Sequence, residues 1–316
     1  MRPNFEWRLG TRSLQLGRRT LLMGVLNVTP DSFSDGGRYF QTDRAVEQAL
    51  QMLADGADII DVGGESTRPG AAVATSEDKG RAGETGQSKM PVSEAEELRR
   101  VLPVIEAIKH ARPEAILSID TYKAGVARAA VELGAEIVND VSAFRWDPNM
   151  ANTVAKLGCG AVLMHMRGRP DQWRHLEPVA DIVGLVGKDL RQWADAALRA
   201  GVPQNKIVLD PGFGFGKNFE ENYPLVAHFD ELHKLGYPLL AGASRKSFVG
   251  RMLRQNGCDA PVEDRLFGTL ANEVLLIMKG VHVIRTHEVK ASRDVIRAAD
   301  AVLAASFLSA PPTSSS

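Results

Sequence analysis

Cysteine is nearly missing from this chain. Two of its 316 residues, Cys159 and Cys258, carry a thiol, and no Cys-x-x-Cys pair occurs. That excludes a disulfide framework and a thiolate zinc site, and it makes a reducing, cytoplasmic setting the expectation. An excess of either charge is also missing: 38 Lys and Arg face 39 Asp and Glu, a net charge of −1. The whole-chain balance therefore carries no electrostatic footprint for nucleic acid or an anionic membrane. No apolar run approaches the ~18 residues of a membrane span. The opening Met1-Arg2-Pro3-Asn4-Phe5-Glu6-Trp7-Arg8 lacks the apolar core of a secretory signal. Zincin, Walker-type and nucleophile-elbow signatures are absent as well.

What the chain does contain is an alternation. Short apolar runs rich in β-branched residues, at 21–26, 58–62, 115–119, 136–138, 161–164, 206–209, 238–241 and 281–284, are separated by longer amphipathic stretches. Near-continuous apolarity suits strands buried on both faces, as in a parallel sheet. Between the first two runs, Ala45, Val46, Ala49, Leu50 and Leu53 recur at helical spacing. Ser93 followed by Glu96 reads as a capping box. Asp147-Pro148 reads as an N-cap and first helical position, and Gly56, Gly134, Gly158 and Gly201 stand where helices should stop.

Eight strand–helix units predict an α/β fold, a single (β/α)8 TIM barrel. A doubly wound open sheet has the same periodicity and is the alternative. The barrel is expected to span 1–308, with an N-terminal β-hairpin over 5–17 plugging its lower end. Residues 72–90 hold three glycines and six charges that cancel, with few large apolar side chains. They read as a flexible insertion in the loop after the second strand, and residues 309–316 as a disordered tail.

Polar residues collect at the strand ends. The runs lead, in order, to Asn27, to Gly63-Gly64-Glu65-Ser66-Thr67-Arg68, to Asp120, to Asn139-Asp140, to His165-Met166-Arg167, to Asp210, to Ser244-Arg245-Lys246-Ser247 and to Arg285-Thr286-His287. In a barrel these ends converge on the C-terminal face. Taken singly, each is as well explained as a cap; Asp120, for instance, is placed to cap a helix beginning at Tyr122. As a set they say more. Carboxylates suit a heterocycle edge with adjacent N–H donors, and arginines suit phosphate. A phosphorylated heterocycle is therefore the expected ligand. An internal salt-bridge network competes with this reading, but Arg68, Lys246 and Arg285 outnumber Asp120 and Asp210. His110, His228 and His233 fall in helical stretches and are expected at the surface, whereas His282 lies in the eighth strand and is expected in the core.

Seven motifs in order then resemble those of the dihydropteroate synthases. They are Gly24-Val25-Leu26-Asn27-Val28-Thr29-Pro30-Asp31-Ser32-Phe33-Ser34-Asp35-Gly36-Gly37, Asp61-Val62-Gly63-Gly64-Glu65-Ser66-Thr67-Arg68-Pro69-Gly70, Ser118-Ile119-Asp120-Thr121, Ile137-Val138-Asn139-Asp140-Val141, Asp210-Pro211-Gly212-Phe213-Gly214-Phe215-Gly216-Lys217, Gly242-Ala243-Ser244-Arg245-Lys246-Ser247 and Arg285-Thr286-His287. The resemblance covers roughly residues 20–305 and departs from the family at the long stretch 72–90.

The resemblance implies a TIM barrel that joins 6-hydroxymethyl-7,8-dihydropterin diphosphate to 4-aminobenzoate, with Mg2+, in folate biosynthesis, and that sulfonamides inhibit. It assigns Asp120, Asn139, Asp210, Lys246, Arg285, Met164 and Phe215 to the pterin. Asn27, Arg68, Arg285 and His287 fall to the diphosphate, with Asn27 also a magnesium ligand. Phe33, Thr67, Pro69, Phe215 and Ser247 fall to aminobenzoate. Catalysis is expected of Asp120, Lys246, Arg285 and His287, through a dissociative substitution. The implied partners are the two small substrates and a second copy of the chain, met through residues 261–279 and 295–307; packing of those segments on the barrel alone is the alternative. Two other functions stay in view, a corrinoid-linked pterin methyltransferase and a pterin-binding paralogue without activity.

Overall fold

In the computed structural model, residues 2–29, 38–65 and 91–308 are described. The expectations for Phe33, Thr67, Arg68, Pro69, the insertion 72–90 and the tail 309–316 fall outside them.

An antiparallel hairpin, β1 (Phe5–Arg8) and β2 (Ser13–Leu16), precedes eight parallel strands. These are β3 (Leu21–Asn27), β4 (Ile59–Gly63), β5 (Ile116–Asp120), β6 (Ile137–Asp140), β7 (Gly160–Met164), β8 (Ile207–Asp210), β9 (Leu240–Ala241) and β10 (Val283–Thr286). Their order is β8-β7-β6-β5-β4-β3-β10-β9. The two ends meet through a parallel bridge between Leu209 and Leu239, where Leu209 N–H donates to the Pro238 carbonyl at 3.0 Å. That contact closes the barrel and sets aside the open sheet.

Between and after the strands lie α1 (Arg38–Ala54), α2 (Glu94–Ala111), α3 (Ala124–Glu132), α4 (Met150–Leu157), α5 (Ile182–Arg199), α6 (Asn222–Ala227), α7 (Ser247–Met252), α8 (Leu266–Met278) and α9 (Val289–Leu308). No helix among the described residues is long and apolar enough to cross a membrane.

Strand side chains alternate between two cores, as the pleat demands. Ile60, Leu117, Val138, Leu163, Leu209 and Ile284 point outward and pack with helix residues such as Val104, Ile108 and Leu190. Met23, Ile59, Ile137, Val162, Val208 and Val283 point inward and fill the lower barrel with Trp7, Leu9 and Leu16 of the hairpin segment. Trp7 is fully buried and its indole N–H donates to the Lys206 carbonyl at 2.9 Å. The hairpin is therefore a plug, with a hydrogen bond satisfying the one polar atom of the Trp7 side chain.

Helix starts follow the sequence with two corrections. Ser93 caps α2 by accepting from Glu96 N–H at 3.2 Å, but the Glu96 carboxylate turns to Arg100 at 2.9 Å instead of closing the box. Asp147 makes the N-cap contact expected of it, its Oδ1 accepting from Asn149 N–H at 2.9 Å just ahead of α4. Its Oδ2 accepts from Ala124 N–H at 2.8 Å, so it caps α3 from the next loop. Asp120 caps nothing, because its carboxylate turns into the barrel mouth toward Arg285.

At the closed end, His282 is fully buried and doubly bonded. Its Nδ1 accepts from Leu239 N–H at 3.0 Å, and Nε2–H donates to the Pro3 carbonyl at 3.0 Å. Only the neutral Nε2–H tautomer makes both bonds, and burial lowers its pKa to about 4. His233 is not a surface residue as expected. It is half-buried, edge-on to Phe229 and His282. Arg2 pairs with Asp300 of α9 at 3.1 Å beside these histidines.

Candidate active site

Two residues beyond four of the inward core residues, the same pleat delivers a polar side chain to the mouth. Ile59 is followed by Asp61, Ile137 by Asn139, Val208 by Asp210, and Val283 by Arg285. Register sets the levels: Asn27 pairs with Gly63, Gly63 with Asp120, and Asp120 with Asn139 across four strands. Met164 pairs with Asp210 on the far side.

These residues form one network. Arg285 Nε donates to Asp61 Oδ2 at 2.7 Å, and Nη2 donates to Asp120 Oδ2 at 2.7 Å. Asn139 Nδ2 donates to the same Asp61 oxygen at 2.9 Å. Burial alone would lower the Arg285 pKa, but Asp61 and Asp120 more than offset it, and the guanidinium is held charged. The competing salt-bridge reading was therefore right about Arg285. Asp210 and Lys246 attract one another without forming a salt bridge.

Asp210 Oδ1 accepts from Gly212 N–H at 2.7 Å. Burial raises its carboxyl to about 6, with Lys246, Arg285 and Lys217 all pulling the other way. Burial likewise raises Asp120 to about 7, against Arg285 and with a further push from Asp61. Asp61, Asp120 and Asp210 thus face Arg285, Lys246 and Lys217, and burial pulls the Lys217 ammonium down to about 7 against the attraction of Asp210.

Lys246 closes the seventh strand's loop and lies over the Phe215 ring, its Nζ 4.0 Å from the centroid. Phe215 and Met164 sit in an aromatic-rich cluster with Tyr122, Trp146, Met166 and Trp173 above the barrel. His287 follows β10, with Nδ1 3.1 Å from Ser244 Oγ. Ser247 is the first residue of α7, exposed and next to Lys246. Asn27 ends β3, half-buried, and offers a neutral oxygen donor at the mouth.

Asp120, Asn139, Asp210, Lys246, Arg285, Met164 and Phe215 are therefore brought to one mouth, with Asn27 and His287 at its edge. Asp61 and Lys217 belong to the same construction and were not singled out from sequence. Lys217 is buried, and its ammonium donates to the carbonyls of Gly212 at 2.8 Å, Phe215 at 3.2 Å and His165 at 3.3 Å. Parity would have found Asp61, at an inward strand position two residues after Ile59. No sequence signal marks a buried lysine in a loop.

Chemically, the site sets carboxylate and amide acceptors against cationic donors around an aromatic wall. That suits a flat heterocycle with N–H donors on one edge and an anionic substituent. Among the described residues no group of three His, Cys, Asp or Glu is placed to hold a metal. A hard cation here would need oxygen donors from its ligand as well as Asn27, which a diphosphate supplies.

Comparison with known proteins points the same way. A family model described as pterin binding enzyme matches residues 23–82 and 79–287. The dihydropteroate synthase of Clostridium beijerinckii is 41% identical over 283 residues, covering 89% of this chain and 94% of that protein. The Yersinia pestis dihydropteroate synthase, solved with a sulfonamide drug complex, superposes with a TM-score of 0.82 at 39% identity, covering 95% of this chain and 100% of that one. The Xanthomonas albilineans dihydropteroate synthase in complex with 7,8-dihydropteroate gives 0.77 at 36% identity, covering 97% and 100%.

Proposed function

Because this chain belongs to the dihydropteroate synthases, a family of pterin-binding transferases, we infer that it joins 6-hydroxymethyl-7,8-dihydropterin diphosphate to 4-aminobenzoate. The products are 7,8-dihydropteroate and pyrophosphate, in folate biosynthesis. The observation that carries this reading is the Asp61–Arg285–Asp120 network beside Asp210 and Lys246.

Asp210 accepts from the pterin's amino group and ring N–H, and Asn139 and Lys246 complete the heterocycle's polar edge. Phe215 and Met164 face the ring. With Nε and Nη2 held by carboxylates, Arg285 presents Nη1 to the diphosphate, next to His287 and, by motif, Arg68. The C–O bond to the diphosphate breaks, its electron pair leaving with pyrophosphate. The arginines and His287 stabilise that charge, and Asp120 stabilises the pterin-methyl cation left behind. The aromatic amine then attacks the methylene and gives up a proton. Magnesium, held by Asn27 and diphosphate oxygens, would neutralise leaving-group charge. Aminobenzoate is read against Phe33, Thr67, Pro69 and Phe215, with Ser247 at its carboxylate.

Two coarser features complete the proposal. Helices α8 and α9 bury Leu276 and Ile277 on the barrel yet expose Phe267 (80%), Leu275 (53%) and Val302 (61%). Those exposed apolar side chains support reading α8 and α9 as the meeting face for a second copy. A cytoplasmic setting agrees with two free cysteines, one of them exposed.

The deciding experiment measures pyrophosphate release from the pterin diphosphate, with and without 4-aminobenzoate. Release that requires aminobenzoate and yields dihydropteroate is expected. Tight pterin binding without release would instead favour the inactive paralogue.

A further inference from the structure

We propose that Lys217 is a positioning residue of the pterin floor: its ammonium gathers the carbonyls of His165, Gly212 and Phe215 and so sets the Phe215 ring beneath Lys246. This rests on the reading of the mouth as a pterin pocket.

An ammonium has three protons to donate and no acceptor function, and here each proton has a carbonyl. Lys217 is 7% exposed, which leaves little room for water to replace those bonds. The loop it staples lies flat on the backbone leaving β7. Gly212 and Gly216 both have φ of +64°, and a Cβ at either would collide with the carbonyl oxygens of His165 and Arg167 respectively. Arg145 Nη2 holds the intervening carbonyl, that of Met166, at 3.0 Å. Two cations thus grip consecutive carbonyls of one segment.

The consequence appears on the loop's other side. Phe215 stands edge-on to Trp173, centroids 5.5 Å apart at 83°, and carries the Lys246 ammonium on its face. The Gly212 N–H that the loop aims back holds Asp210 Oδ1 at 2.7 Å. A loop released from Lys217 would displace a ring, a cation and a carboxylate partner together, although Lys217 itself touches no reacting atom.

The test compares the unaltered protein with Lys217→Met and Lys217→Arg. Calorimetric titration with the pterin diphosphate needs no turnover; steady-state kinetics give the KM for 4-aminobenzoate. Lys217→Met is expected to weaken pterin binding at least about tenfold and to raise the aminobenzoate KM by a clearly smaller factor, because Phe215 is the one displaced group the two substrates share. Lys217→Arg keeps charge and donors and is expected to restore binding to within roughly threefold. A cooperatively melting Lys217→Met protein that binds pterin like the unaltered one would overturn the proposal, as would one losing both substrates in equal proportion. If Lys217→Met does not melt cooperatively, Lys217→Gln replaces it with the same outcomes. An unaltered protein that binds the pterin but makes no dihydropteroate counts against the reaction and leaves the Lys217 comparison intact.

Discussion

Asp61 and Arg285, 224 residues apart in the chain, meet at 2.7 Å, with the Asp61 side chain wholly out of contact with solvent. Its Oδ2 also takes the Asn139 amide, so one oxygen orients two pterin-facing residues. Asp61→Ala strips both donors of an acceptor inside the barrel. A loss of about 3 kcal/mol in urea unfolding is expected, the size seen when one partner of a buried ion pair is removed. A loss under roughly 1 kcal/mol would show that Arg285 leans on Asp120 alone.

Asp120 is expected to act on the transition state more than on the bound pterin. Asp120→Asn keeps a hydrogen-bonding side chain near Arg285 and removes the charge that faces the cation. Turnover should fall by at least about a hundredfold while pterin affinity changes by less than about tenfold. Equal losses in kcat and affinity would make Asp120 a binding residue only.

Asp210 carries a stability cost that its function explains. The folded protein keeps this proton up to about pH 6, whereas an unfolded chain releases it near ~3.9. Ionising Asp210 therefore works against folding, increasingly as pH rises from 4 to 6 and fully above that. Asp210→Asn retains an acceptor for the Gly212 N–H. It is expected to gain roughly 2–3 kcal/mol at pH 8, to lose that gain as the pH falls below 6, and to lose pterin binding throughout. Paired denaturation curves at pH 8 and 4.5 check it; equal gains at both would refute the ionisation account.

His282 works in the opposite sense. Its folded pKa of about 4 lies below the unfolded value, so the unfolded chain gains a proton that the folded one refuses. Stability from this group is complete above about pH 6.5 and declines by about 1.4 kcal/mol per unit as pH drops toward 4. His282→Gln, with an acceptor and a donor but no titration, should flatten that acid limb. An unchanged slope would place the acid sensitivity elsewhere.

Sulfonamide inhibition is expected to be competitive with aminobenzoate and not with the pterin, since the first motif is intact around Phe33. Rate measurements at several fixed drug concentrations decide it. Full activity in drug levels that saturate aminobenzoate binding would contradict the assignment of Phe33, Thr67 and Pro69.

Most of the barrel and much of the site were legible because one rule, the alternation of strand side chains, governs both. Ile137 and Asn139, or Val208 and Asp210, are apolar and polar members of the same inward row. Asp61 escaped notice because Gly63 occupies the last inward position of β4 and moves the functional side chain one step deeper. Lys217 and the second contact of Asp147, to Ala124, escaped for a different reason: each acts on backbone atoms of another segment, and local spacing does not encode such partners. The helix cap assigned to Asp120 failed because a carboxylate at a strand end has two outlets, and here Arg285 is the stronger one.

The clasp between Arg2 and Asp300 ties the first described residues to the last helix, at the end of the barrel remote from the mouth. The described residues are thereby stitched, Arg2 to Asp300, along a seam turned away from the chemistry. A circularly permuted variant, joined across that seam and reopened at the turn around Gly201 between α5 and β8, would keep every strand in its row. The order in which the ribosome makes the parts is then separable from the order in which they surround the substrate.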